Sequence, residues 1–365
     1  MKLLSEVELG NLKLKNSMAM APMTRSRAND EGVVGESTVL YYTQRASAGL
    51  IIAEGINISE QAKGSPWTPG LYTQEQIDAW KKVTEAVHEK GSVIYAQLWH
   101  TGRVGHTLVK NGVLPVAPSA IAIEGQQHFT GTGMADYETP EALSLDEIKQ
   151  IIQDYKQAAI NAIEAGFDGV ELHAAFGYLP NQFLAESANH RTDEYGGSME
   201  NRNRFVLEVM QHLVDAIGEN KVGIKLSPAI PYNSIIHQDP TTQFTALIGA
   251  LDQMPLSYIH LMNAGFPEEH FPHYPKNILE TFGTLTRHTV IGNMGYNGET
   301  GEKELEKGIA SIISYGVLFL ANPDLPKRFE LKAGLNQPDR ATMYGGGDHG
   351  YTDYPFLEKA QYAEA

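Results

Sequence analysis

Gly169-Val170-Glu171-Leu172-His173-Ala174-Ala175-Phe176-Gly177-Tyr178 is the stretch on which the fold turns. It follows a helix-like run and a turn, Ala165-Gly166-Phe167-Asp168. Residues 169–172 read as a short buried strand, which then releases His173 and Tyr178 into a loop. A buried strand that follows a helix and ends in polar groups is the place where a parallel α/β barrel keeps its chemistry. In isolation His173 reads more readily as a core-edge imidazole bonded to backbone, so the remainder of the chain has to decide.

Working outward, short apolar runs at 17–21, 49–54, 92–98, 222–226, 258–262, 290–293 and 311–315 read as further strands. Between them lie helical patterns. The first spans 37–48, with Ser37 as its N-cap. Residues 73–90 place Ile77, Trp80, Val83 and Val87 at helical spacing. Residues 144–165 open on a capping box, Ser144 with Glu147. Further helices are expected at 205–217, 242–253 and 301–307, with a loop over 181–204. Residues 3–15 alternate around Gly10-Asn11 as a hairpin lid on the floor of the domain. The excursion over 101–139 is too long for a plain connector and suits a binding or lid segment.

Eight strands, each followed by a helix or by a loop and helix, fit parallel β/α units, either an open doubly wound sheet or a closed barrel. The count and the length favour the barrel: an α/β fold, a (β/α)8 TIM barrel over residues 1–365 as one domain, with an N-terminal hairpin lid and a long insertion after the third strand. No Gly-x-Gly-x-x-Gly follows the first strand, which argues against a Rossmann dinucleotide site. In a barrel the strand ends share one mouth, and Thr24, Gly55, Gln97, His173, Lys225, Met294 and Val317 are expected to converge there.

Composition narrows the chemistry. The 365 residues carry 44 acidic and 28 basic side chains, a formal charge of −16. That balance disfavours nucleic acid and anionic membranes, which require a basic face. There is no cysteine, which removes disulfides, thiolate catalysis and Cys-ligated metal sites. No apolar run approaches the roughly 20 residues of a membrane span, and the N-terminus lacks a signal-like apolar stretch, so a cytoplasmic location is expected. The converging residues contain neither a carboxylate pair of the glycosidase kind nor a His/Asp/Glu set with metal spacing, so no metal is expected. His260, inside Tyr258-Ile259-His260-Leu261, reads as a satisfied core position. Donors without a nucleophile or metal leave the difficult chemistry to a cofactor.

Several motifs then occur in order: Ala21-Pro22-Met23-Thr24-Arg25, Ala96-Gln97-Leu98-Trp99-His100, Gly102-Arg103, His173 with Gly177-Tyr178, Asn181-Gln182-Phe183-Leu184, Arg191-Thr192-Asp193-Glu194-Tyr195-Gly196-Gly197, Ala321-Asn322-Pro323-Asp324-Leu325 and Gly350-Tyr351-Thr352-Asp353-Tyr354-Pro355. Over nearly the whole chain this set resembles the old yellow enzyme family of FMN-dependent ene-reductases, and within it the bacterial pentaerythritol tetranitrate reductase-like branch. The resemblance implies a barrel with FMN across its strand ends, reduced by NAD(P)H. It further implies a small alkene, activated by a carbonyl or nitro group, as substrate. By position it implies Pro22, Met23 and Thr24 along the isoalloxazine, Gly55 and Gln97 at the pyrimidine edge, and Lys225 toward N1 and O2. Gly295 and Gly316 would lie by the phosphate. His173 would hold the substrate oxygen and Tyr178 would deliver a proton, with Trp99, Phe176 and Tyr344 lining the substrate pocket. Relatives include monomers and homodimers, and either state is expected here.

Four positions depart from the family pattern. Phe176 stands where an Asn or His would be a second donor, a loss that ordinarily costs about 2.7–4 kcal/mol of transition-state stabilisation. Lys225 replaces an Arg, keeping charge but not the planar fork. Gly316-Val317 replaces Gly-Arg, removing a charge-assisted bond of about 1.5–3 kcal/mol to the phosphate. Asn293-Met294-Gly295 puts a side chain where bare backbone would approach the phosphate. A second reading therefore stands beside the first: the same fold with weak or lost FMN binding, doing cofactor-free acid/base chemistry such as enone isomerisation at His173, Tyr178 and Lys225, or serving as a binding protein.

Overall fold

A computed structural model of the chain describes residues 1–266 and 269–357; residues 358–365 of the expected 1–365 domain lie outside them. Eight parallel strands close into a barrel. They are β1 (Met18–Met20), β2 (Leu50–Asn57), β3 (Val93–Trp99), β4 (Gly169–Ala174), β5 (Val222–Leu226), β6 (Tyr258–Met262), β7 (Thr289–Asn293) and β8 (Ile312–Tyr315). Closure is made by β8 on β1, with Ile313 opposite Met18 and Tyr315 opposite Met20. Nearly every strand residue is buried, as expected where helices cover the outside and side chains fill the inside. The expected TIM barrel is thus the fold.

The outward strand residues pack against helices α1 (Glu36–Gln44), α2 (Gln74–His88), α3 (Leu145–Glu164), α4 (Leu179–Leu184), α5 (Met199–Ile217), α6 (Pro240–Leu251), α7 (Ile278–Phe282), α8 (Gly298–Lys307), α9 (Val317–Ala321) and α10 (Leu325–Leu331). Leu172 and Ile224 from the strands share this layer with Trp80, Ile152, Phe205 and Phe244 from the helices. The inward residues of the lower barrel form a second core. There the antiparallel hairpin Val7–Leu9 with Leu12–Leu14 sends Leu9 and Leu14 in beside Ala19, Leu50, Tyr95, Tyr258 and Ile312. The hairpin therefore plugs the floor, at the end opposite the mouth.

Several expected boundaries move. α1 starts at Glu36 with Gly35 as its N-cap, not at Ser37, and stops at Gln44. Arg45 ends it by turning its guanidinium to the carbonyls of Phe319 and Tyr351. The expected loop over 181–204 contains the end of α4 and the first turn of α5, which the Ser198 hydroxyl caps by accepting from Asn201 N–H. The excursion after β3 contains a parallel pair, Val116–Ala117 with Glu141–Ala142, and a hairpin, Gln127–Phe129 with Met134–Asp136. Among the described residues no helix is long and apolar enough to cross a membrane.

Candidate active site

Side chains alternate along a strand, so Glu171 and His173 both point into the barrel from β4. Their neighbours make a polar layer above the apolar floor. Glu171 accepts from Gln97 Nε2 at 2.8 Å and lies 2.8 Å from His260 Nδ1. The other ring nitrogen of His260 meets Ser314 Oγ at 2.7 Å, and Asn293 Nδ2 donates to the same hydroxyl at 2.8 Å. Lys225 lies opposite His173 on one side and His260 on the other in strand register. It is buried, and its ammonium has no hydrogen-bond or ion-pair partner among the described residues.

These charges set one another. Burial lowers Lys225 to about 8, against the pull of Glu171. Burial alone would raise Glu171, but His260, Lys225 and the bond from Gln97 outweigh it and hold the carboxyl below its usual range. Burial, Lys225 and His260 push the His173 imidazole well below its ordinary value. The layer therefore holds a carboxylate, an ammonium and two neutral imidazoles near pH 7.

Above it, three rings meet at the mouth. Tyr178 packs edge-on to Trp99 with centroids 5.0 Å apart and to His173 at 4.8 Å. Its phenol is raised by burial and then by the nearby phenols Tyr232, Tyr137 and Tyr344, so it stays protonated. His173 Nδ1 and Trp99 Nε1 are buried polar atoms without protein partners. Such orphans are rare in folded proteins unless a ligand or water completes them.

Tyr178 is placed by a strained turn. Phe176 sits at φ +56°, an uncommon conformation for a bulky residue. It is pinned by its N–H donating to Ser227 Oγ at 3.0 Å and its carbonyl accepting from Asn233 Nδ2 at 2.9 Å. Gly177 follows at φ +78°, where a Cβ would fall 2.7 Å from the Cβ of Asn233. Its N–H donates to Asn181 Oδ1, and α4 begins directly after Tyr178.

Beside the rings lies a cavity of about 380 Å³. Pro22, Met23, Phe176, Lys225, Gly295 and Gly316 line it, as do the departing residues Met294 and Val317. Thr24, Gln97, His173, Tyr178 and Trp99 are not part of its wall; the last four are tied to it through strand register and ring packing. Gly55 is not at a strand end. It lies inside β2, where a Cβ would strike the Trp99 indole at 2.8 Å, so it makes room for that ring. Tyr344 is 64 % exposed and lines none of this cavity; it reaches the site through its effect on Tyr178. Sequence reasoning missed Glu171, Ser314 and the phenols Tyr137 and Tyr232. Only Glu171 had a local signal, its period-two spacing from His173.

A family model described as NADH:flavin oxidoreductase / NADH oxidase matches residues 2–337. The chain belongs to that family. Among members of this old yellow enzyme family, 12-oxophytodienoate reductase 1 of Oryza sativa subsp. japonica is 44 % identical over 361 residues, covering 98 % of this chain and 93 % of that protein. A solved structure of morphinone reductase in complex with tetrahydroNAD matches at TM-score 0.92 and 45 % identity, over 99 % of both chains. The old yellow enzyme homologue from Zymomonas mobilis matches at TM-score 0.93 and 38 % identity, over 98 % of this chain and 100 % of that one. The likeness spans plant and bacterial members alike and establishes the family rather than one branch of it.

Proposed function

We propose that this chain is an FMN-dependent ene-reductase, which uses NAD(P)H to reduce small alkenes activated by a carbonyl or nitro group. The observation that carries the reading is the pairing of a neutral, orphaned His173 with a protonated Tyr178, ring to ring, above the lone cation Lys225. A flavin is the cofactor of the family's chemistry, and the isoalloxazine half of the site fits one. Lys225 offers an unpaired ammonium to an acceptor edge, and Pro22 and Met23 provide a flat apolar wall. A bound reduced flavin supplies the hydride that the alkene takes at its β-carbon.

The protein's own groups then act on the substrate. His173 donates to the carbonyl or nitro oxygen, where negative charge grows in the transition state; as a neutral imidazole it does so without a charge that burial would penalise. Tyr178 gives its phenolic proton to the α-carbon. Thr24 and Gln97 orient the ring's polar edge, while Trp99, set by Gly55, holds Tyr178 in place. Phe176 bounds the substrate side with apolar surface. The direct test is the visible spectrum of the purified protein followed by enone-dependent oxidation of NAD(P)H. A Tyr178→Phe variant is expected to keep flavin reduction by NAD(P)H and to lose about 10²-fold or more in the alkene half-reaction. Equal slowing of both half-reactions would remove Tyr178 from the proton step.

One observation favours a second reading. Met294 and Val317 make the outer wall of the cavity apolar, which suits a flavin-poor protein doing enone isomerisation with His173, Tyr178 and Lys225. Turnover of an enone isomer pair without flavin or nicotinamide would support it. A flavin that copurifies and is bleached by NAD(P)H would not.

A further inference from the structure

The cavity is chemically one-sided. Lys225 is the only cation among its lining residues, and it is held at the inner end: 4 % exposed, on β5, between His173 and His260 in register. The outer end is built differently. Val317, which opens α9 just after β8, and Met294, which directly follows β7, are 45 % and 37 % exposed and face it with hydrocarbon and thioether. Met294 takes φ +77°, and its side chain lies across the segment after β6, where a Cβ on Gly265 would meet Met294 Cε at 2.5 Å.

The polar side chains of that end are already engaged. Asn293 Nδ2 donates to Ser314, Asn263 Nδ2 donates to the Met294 carbonyl at 2.9 Å, and the Tyr296 hydroxyl is bonded to Asn263. No charged or uncommitted amide side chain of the lining is left at the rim to meet an anion.

FMN is a planar ring whose N1/O2 edge accepts hydrogen bonds, joined through a ribityl chain to a phosphate that is mostly dianionic at pH 7. Its two ends compete for one cation. The buried ammonium matches the ring edge, and the phosphate is then left without a cation, against Met294, Val317 and the neutral backbone of Gly295 and Gly316. We propose that this site recognises a flavin by its ring and does not read the 5′-phosphate, so that riboflavin and FMN bind with nearly equal affinity. The inference rests on the flavin reading above and sharpens it: the ligand class is an isoalloxazine, phosphorylated or not.

The test is a fluorescence titration of the full chain, freed of bound flavin, with FMN and with riboflavin, and with inorganic phosphate as competitor. Dissociation constants within about threefold, and no competition by phosphate, are expected. A charge-assisted phosphate contact is ordinarily worth roughly tenfold or more, so FMN binding tighter than riboflavin by that margin would overturn the proposal while leaving the flavin reading intact. Binding of neither ligand would overturn both. A Val317→Arg variant supplies a cation at a half-exposed position where the core is not disturbed. It is expected to tighten FMN about tenfold and leave riboflavin unchanged; equal effects on the two ligands, or none, would also overturn the proposal.

Discussion

At the scale of single residues, the site holds two groups whose behaviour follows from burial and charge. Phe176 occupies a left-handed conformation that Asn tolerates far better, and under the proposed function an Asn there would add a second donor for the substrate oxygen. A Phe176→Asn variant loses ring packing against Tyr232 but gains backbone ease. We expect its thermal midpoint to move by a few degrees at most and its kcat/KM for a cyclic enone to rise at least about tenfold. Unchanged turnover would mean that His173 alone suffices. Lys225 governs a pH dependence. Its pKa falls from 10.5 in the unfolded chain to about 8 in the fold, so between those values the unfolded state binds the extra proton and stability rises with pH. Below about 8 the full cost of burying the ammonium is present. Urea unfolding of wild type and Lys225→Met at pH 7.5 and 9.5, values chosen to bracket the folded pKa, should show a steeper upward slope in wild type; the slope left in the variant belongs to Lys110, which burial also lowers to about 8. Parallel profiles would place the titration elsewhere.

Residue identity was legible from sequence where the chemistry is local. His173 and Lys225 were found because each lies next to the end of a strand, and Tyr178 because it stands in the loop that follows one. Gly55 was misplaced because a strand end cannot be counted across the register shift between Ile52 and Gly55. Glu171 was missed because a single carboxylate in an apolar strand has no visible partner until Gln97 and His260, on strands remote in sequence, are brought to it.

At the scale of elements, helix starts were legible where a capping box directly precedes an amphipathic run. Thr73 and Ser144 each complete a capping box, with Gln76 and Glu147. Ser144→Ala is expected to cost about 1 kcal/mol, read as a lower urea midpoint at unchanged m; a shift in m instead would indicate a change in the unfolded state. The α5 start was placed late because Ser198 lies in a polar stretch, Met199-Glu200-Asn201-Arg202-Asn203-Arg204, whose helical face shows only once Arg202 is folded inward to the Leu184 carbonyl and Gln243. α1 was drawn too long because Ala46 and Ala48 continue an apolar pattern, yet Arg45 is drawn away by carbonyls from the far end of the chain.

At the scale of the whole molecule, eight parallel strands close without an edge, and the chain carries a net charge of −16. Like charges on a compact body repel, and salt screens them. The melting temperature is therefore expected to rise by a few degrees between low and physiological ionic strength, measured calorimetrically. A fall would show that ion pairs such as Arg202–Glu186 and Arg328–Asp324 outweigh the net repulsion.

By itself the sequence determined the barrel, since alternating apolar strands and amphipathic helices are periodic signals carried by neighbouring residues. It also determined the family and strand-end residues such as His173 and Lys225, though not Gly55. Only the tertiary structure decided which of those residues share a wall, that Gly55 serves Trp99, that Tyr344 stays in solvent, and that one buried cation faces an apolar rim. Those are distances and desolvation energies between residues up to hundreds of positions apart, and no local pattern encodes them.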